Sequence, residues 1–151
     1  MEEKEITFFM REALLEAKKA LEENEVPVGA VVVKNGEIIG RGHNRREAKN
    51  AIYSHAEIEA ILNAEKATDS WVLSGSALFV TVEPCLMCAG AIKQARIASL
   101  YYGCQDPSMG AVRNHYHVFD DSLVENSPLV YCGILENESK SLMQEFFSKK
   151  R

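Results

Sequence analysis

His55, Glu57, Cys85 and Cys88 are residues whose types and spacing fit a definite chemistry. They stand in two short runs, His55-Ala56-Glu57 and Pro84-Cys85-Leu86-Met87-Cys88. One imidazole and two thiolates suit zinc, which favours nitrogen and sulfur donors in a tetrahedral array. Three protein ligands leave a fourth position open, and a catalytic zinc needs that position for water. Glu57 adds a carboxyl group able to carry protons. Other readings compete for the same residues. Ser54-x-x-Glu57 has the pattern of a helix-capping box, which accounts for the glutamate without chemistry. Cys104 or Cys132 as a fourth ligand would make a closed structural site, and the chain a non-catalytic zinc-stabilised domain.

The elements that must position these residues alternate between helix and strand. Ile6, Phe9, Met10, Ala13, Leu14, Ala17 and Leu21 recur at three- and four-residue steps and predict an amphipathic helix over 3–23. Residues 28–33 form an apolar, β-branched run, the pattern of a buried strand. Asn35-Gly36 then predicts a tight hairpin, because both residues accept positive φ. The return strand covers 37–41, and a polar loop runs on to Ser54. A helix starting at His55 has Ala56, Ile58, Ala60, Ile61 and Ala64 as its apolar face.

Residues 77–82 predict a third strand. The helix that follows is expected to begin at Glu83-Pro84, since proline lacks an N–H that the first turn does not use. Cys85 and Cys88, three apart, then share one face near the helix N-terminus, where the helix dipole favours thiolates. Small residues across 89–95 suit close packing beneath a metal. Strands over 97–103 and 129–135 and a helix over 139–148, with Leu142, Met143, Phe146 and Phe147 on its apolar side, complete the chain. With no repeat or linker visible, the expectation is one α/β domain over residues 1–151, a sheet covered by helices.

Composition limits the function classes. The chain of 151 residues is 46% hydrophobic and 26% charged, a globular balance. No apolar stretch approaches a membrane span and no secretory h-region is visible, so a cytoplasmic protein is expected. There, close-set cysteines point to metal or catalysis rather than disulfides. Cys104 and Cys132 follow apolar strand runs and read as buried, inert thiols. A formal net charge of −5 excludes a broad basic surface for nucleic acid. RNA would have to be met through a local patch, for which Arg45, Arg46 and Lys49 are the candidates. His115 and His117 form a His-x-His pair, a candidate second metal site or pocket rim, or an ordinary loop.

Taken with Val26-Pro27-Val28-Gly29-Ala30, the two runs resemble the cytidine deaminase-like zinc deaminases, and within them are most similar to bacterial tRNA adenosine deaminases. The likeness extends from the first helix to about Gly110, resumes near Gly133 and includes Phe146-Phe147. It implies a three-layer α/β/α fold with about five strands in a mixed sheet. One Zn2+ per subunit would be held by His55, Cys85 and Cys88, with Glu57 as a proton carrier that is not a ligand. The implied reaction is hydrolytic deamination: water adds at the carbon bearing an amino group and ammonia leaves. Asn44 matches the family's base-contacting asparagine, and Ala56 and Tyr53 beside the histidine are further candidate substrate contacts. A tRNA anticodon loop is the implied partner, with Arg45 and Arg46 near its phosphates. The resemblance also implies a homodimer; neither DNA nor a membrane is expected as a partner.

The sequence departs from the family away from the zinc motif. Asn50-Ala51-Ile52-Tyr53-Ser54 replaces the usual Asp-Pro-Thr-Ala, Val72 stands after Trp71 where arginine is common, and 110–128 is shorter. The basic tail stops at Lys149-Lys150-Arg151. A free purine or related heterocycle such as guanine therefore stands as the alternative substrate, in a pocket closed by Tyr53, His115, Tyr116 or His117.

Overall fold

The computed structural model describes residues 1–121 and 125–149; Lys150 and Arg151 of the basic tail lie outside the described residues. The chain runs α1 (Glu3–Glu22), β1 (Gly29–Lys34), β2 (Glu37–His43), α2 (Arg46–Lys49), α3 (Ala56–Thr68), β3 (Ala77–Val82), α4 (Leu86–Gln94), β4 (Ser99–Cys104), β5 (Leu129–Tyr131) and α5 (Glu136–Lys149), with a short 3-10 turn at Val118–Asp120. The strands form one mixed sheet in the order β2-β1-β3-β4-β5. β1 is antiparallel to β2 and β3, whereas β3, β4 and β5 run parallel.

Strand alternation divides the core into two layers. Ala30, Val32, Leu78, Val80, Leu100 and Tyr102 face one way and pack with Ala56, Ala60 and Ala64 of α3 and Ile92 of α4. Val31, Val33, Phe79 and Tyr101 face the other way and meet Phe9, Met10, Ala13 and Leu14 of α1, with Leu142 of α5 beside them. β3 is buried along its whole length, as its largely apolar run requires, and its one polar residue, Thr81, accepts at Oγ1 from Gly29 N (3.2 Å). Asn35 and Gly36 both take positive φ (52° and 76°), and Lys34 pairs with Glu37 across the expected two-residue turn. This is a three-layer α/β/α arrangement. Among the described residues no helix is long and apolar enough to cross a membrane.

Several boundaries differ from the sequence expectation. The helix after β3 begins at Leu86, with Cys85 as its N-cap, so Pro84 precedes the cap rather than entering the first turn. The chain stays extended there because Glu83 N donates to Cys104 O (2.9 Å) and Pro84 O accepts from Ala111 N (2.9 Å). The strand expected over 129–135 ends at Tyr131; Gly133 and Leu135, both at positive φ, turn the chain into α5. Cys132 therefore leaves the sheet and is exposed, against the expectation of a buried thiol, whereas Cys104 is buried. The loop before His55 contains α2, a single turn not foreseen.

Candidate active site

Close packing sets the height of α3. A Cβ on Gly42 would lie 2.5 Å from Ala60 N and 2.6 Å from Ala56 O, so the strand lets the helix backbone rest directly on it. Gly40 has the same role two residues earlier in the strand, against Ala60 and Ala64. The N-terminus of α3 consequently ends beside the exit of β2. α4 follows β3 after only Glu83, Pro84 and Cys85, so its N-terminus opens at the same edge of the sheet. His55 caps α3 and Cys85 caps α4, each in extended conformation. Two helix N-termini, each with unpaired N–H groups and a partial positive charge, thus converge on one point.

At that point His55 Nδ1 lies 3.6 Å from Cys85 Sγ and 3.6 Å from Cys88 Sγ. Zinc bonds of about 2.3 Å to sulfur and 2.0–2.1 Å to nitrogen at the tetrahedral angle separate those atoms by about 3.6 Å. The three donor atoms all lie within 4.8 Å of one another, and among the described residues no other group of this kind exists. The donor set and its spacing fit zinc. Cys104 and Cys132 do not join the cluster, which removes the closed four-ligand reading. His115 and His117 form no second cluster: His115 Nε2 contacts Pro107 O (2.6 Å), and His117 Nδ1 lies 3.6 Å from Asp120.

The protein groups alone prepare one of the two thiols, Cys85, as a thiolate. A hydrogen bond from the Cys88 thiol draws Cys85 down to about 4, burial opposes this, and the His55 contact assists. Cys88, as donor to Cys85 and buried, is pushed up, and His55 is held above its usual value chiefly by its contact with Cys85. Glu57 sits in the first turn of α3, 4% exposed. Its burial pushes the carboxyl up to about 7, although the neighbouring His55 acts to lower it. The capping box does not form: His55, not Ser54, is the N-cap, and no side chain caps the helix.

The donors open onto a cavity of about 800 Å³. Asn44, Arg46, His55, Ala56, Glu57 and Cys85 line it, so six of the nine sequence-nominated residues meet there. Asn44 Oδ1 also accepts from Arg46 N (3.0 Å), so a turn-forming role and a place in the cavity coincide. Arg46 is held by α2, whose Glu47 and Ala48 amides donate to the buried carboxylate of Glu25 (3.0 and 2.8 Å). Cys88 lies behind the lining, buried. Arg45 turns towards Glu23 (3.9 Å) and Tyr53 is 57% exposed; neither lines the cavity. His115, Tyr116 and His117 do not line it either. Val26, Val28 and Glu83 also line it, and much of the rest of its wall comes from residues the sequence did not nominate as site residues: Asp106 to Met109 after β4, and Lys140, Met143, Gln144 and Phe147 on α5. Their distance along the chain from the zinc motif left no local signal; the Phe146-Phe147 ending was the one hint.

An open N,S,S metal centre at the mouth of an α/β/α sheet, with a buried carboxyl beside it, defines a zinc-dependent hydrolase of the deaminase kind. Residues 3–104 match the cytidine and deoxycytidylate deaminase zinc-binding region, and the chain belongs to that family. It is 46% identical over 147 residues to the tRNA-specific adenosine deaminase of Agrobacterium fabrum, covering 97% of each chain. A solved structure from work on A-to-I editing by tRNA:A34 deaminases superposes with a TM-score of 0.87 at 46% identity, covering 90% of this chain and 99% of that one. The guanine deaminase of Bacillus subtilis is also similar, with a TM-score of 0.63 at 34% identity, covering 70% of this chain and 66% of that one.

Proposed function

We propose that this chain is a single zinc-dependent deaminase domain that converts adenosine to inosine at the wobble position of tRNA, in the cytoplasm and as a homodimer. The supporting observation is the 46% identity along nearly the whole chain to proteins of that activity, against a guanine deaminase likeness that is lower and spans less of both chains. His55, Cys85 and Cys88 would hold the zinc, which when bound supplies an acidified water at neutral pH.

The remaining chemistry belongs to the chain's own groups. Glu57 takes a proton from water, passes one to a ring nitrogen and then one to the departing amino group, so that ammonia leaves and a carbonyl remains. Its burial suits this work, because a carboxyl titrating near the working pH both accepts and returns protons. Asn44, whose oxygen is engaged by Arg46 N, offers its amide N–H groups to the edge of the base. Ala56 closes the cavity beside His55. Arg46 inside the mouth meets phosphate, while Arg45 and Tyr53 lie outside it, where flanking nucleotides can contact a guanidinium and an aromatic face.

Ammonia release by the zinc-loaded protein tests this reading with an anticodon stem-loop bearing adenosine at the wobble position. The matched stem-loop with guanosine there should give none. Release from free guanine with none from the adenosine stem-loop would replace the tRNA reading by that of a base deaminase.

A further inference from the structure

Glu83 lies two residues before Cys85, 3% exposed, at the end of β3. A carboxylate taken out of water costs free energy unless hydrogen bonds replace its hydration. Five N–H donors do so here. Oε1 accepts from Asp106 N (3.1 Å) and, at short range, from Asn114 Nδ2. Oε2 accepts from three consecutive amides, Val112 N (3.1 Å), Arg113 N (2.7 Å) and Asn114 N (3.1 Å). Consecutive amides aimed at one point form an anion-binding nest, and here the anion is the chain's own side chain.

This binding has a direction. Asp106, whose amide Glu83 holds, accepts at Oδ1 from Ser108 N (3.0 Å) and Met109 N (3.1 Å), so the turn that forms a cavity wall is built outward from Glu83. Ala111 N donates to Pro84 O (2.9 Å), closing the loop over the residue between Glu83 and the metal ligand. At Gly110 a Cβ would collide with the Glu83 carboxylate and lie 2.7 Å from Asp106 O, so the loop reaches this position only without a side chain there. An ionised carboxylate has about four lone-pair sites, all occupied here, which leaves none for substrate.

We infer that Glu83 is a positioning residue: its carboxylate clasps residues 106–114, so that Asp106 to Met109 are held as a wall of the substrate cavity, and so sets substrate affinity without touching the reacting base. The choice of substrate rests on the proposed wobble-adenosine reading; the clasp itself does not.

The test compares zinc-loaded wild-type protein with Glu83→Gln, Asn114→Ala and Gly110→Ala, measuring zinc content, amide hydrogen exchange at 106 and 112–114, and KM and kcat. Glu83→Gln should keep one zinc per chain and accelerate exchange at those amides. KM for the wobble-adenosine stem-loop should rise at least about tenfold, as loss of charge-assisted hydrogen bonds implies, with kcat nearly unchanged. Asn114→Ala, on the exposed loop, should move KM the same way by less, and Gly110→Ala should reproduce the KM effect with Glu83 intact. These two carry the test if Glu83→Gln does not fold. Faster exchange with KM unchanged would overturn the inference, as would activity lost in proportion to zinc. If wild-type protein turns over no stem-loop, the substrate reading fails, and the clasp is judged by exchange and by KM for the base that is turned over.

Discussion

The hydroxyl of Ser54 donates to Glu59 instead of capping the end of α3, and Lys49 Nζ completes the contact at 2.7 Å from Glu59. Glu59 thus ties the 45–54 loop to α3, and Glu57 is left facing the cavity. Glu57→Gln should bind zinc with unchanged stoichiometry while kcat falls by about 100- to 10,000-fold. Metal analysis and product formation on one sample check this; retained turnover would remove Glu57 from the proton transfers.

Zinc and protons compete for the same three atoms. Metal binding requires Cys88 and His55 to be deprotonated, and the free site holds both above their usual values. Zinc affinity should therefore fall as pH falls, and binding near neutral pH should release at least one proton. Calorimetry in buffers of different ionisation enthalpy measures the release. A pH-independent affinity would contradict the assigned ligand set.

Arg45 and Arg46 are adjacent in sequence but differently placed: Arg46 lines the cavity while Arg45 sits 3.9 Å from Glu23. If Arg46 meets phosphate, Arg46→Ala should raise KM for the stem-loop and lessen its salt dependence by about one counterion. Arg45→Ala should do so by less. Equal salt slopes in both variants and the wild type would place the phosphates elsewhere.

His43 joins β2 to α1 through Glu16 (3.3 Å) and Glu23 (3.0 Å). Burial would raise Glu16, yet hydrogen bonds from His43 and Lys19 outweigh it and hold the carboxyl at about 2. Bonding to Glu16 holds His43 above its usual 6.5, with burial opposing. The sign follows for each group. Glu16 contributes stability above its usual 4.5 that is lost as pH falls towards 2, and His43 contributes stability below 6.5 that is lost as pH rises through its raised value. His43→Gln should lower stability by about 1 kcal/mol in mildly acid solution and by less at alkaline pH. Melting temperatures across pH check this; a constant difference would show that His43 acts through packing alone.

Local chemistry was readable in the sequence; distant partners were not. His55, Cys85 and Cys88 announce a metal because ligand type and spacing are local properties, and Ala77–Val82 is a strand to the residue because a fully buried strand is largely apolar and β-branched. The capping-box alternative at Ser54 does not form because Glu59 competes for the hydroxyl, which spacing alone does not reveal. α2 was missed because its anchor, Glu25, lies 22 and 23 residues from the amides it holds. Lys140, Gln144 and Phe147 reach the cavity only through the crossover from β5 to α5, so nothing near the zinc motif marks them.

The most direct measurement is kcat/KM of the zinc-loaded protein for an anticodon stem-loop with wobble adenosine and, under the same conditions, for free guanine. Inosine formation in the stem-loop with no detectable xanthine from guanine is the predicted result. Guanine turnover with an inert stem-loop would contradict it, leaving the zinc chemistry in place but the substrate misassigned.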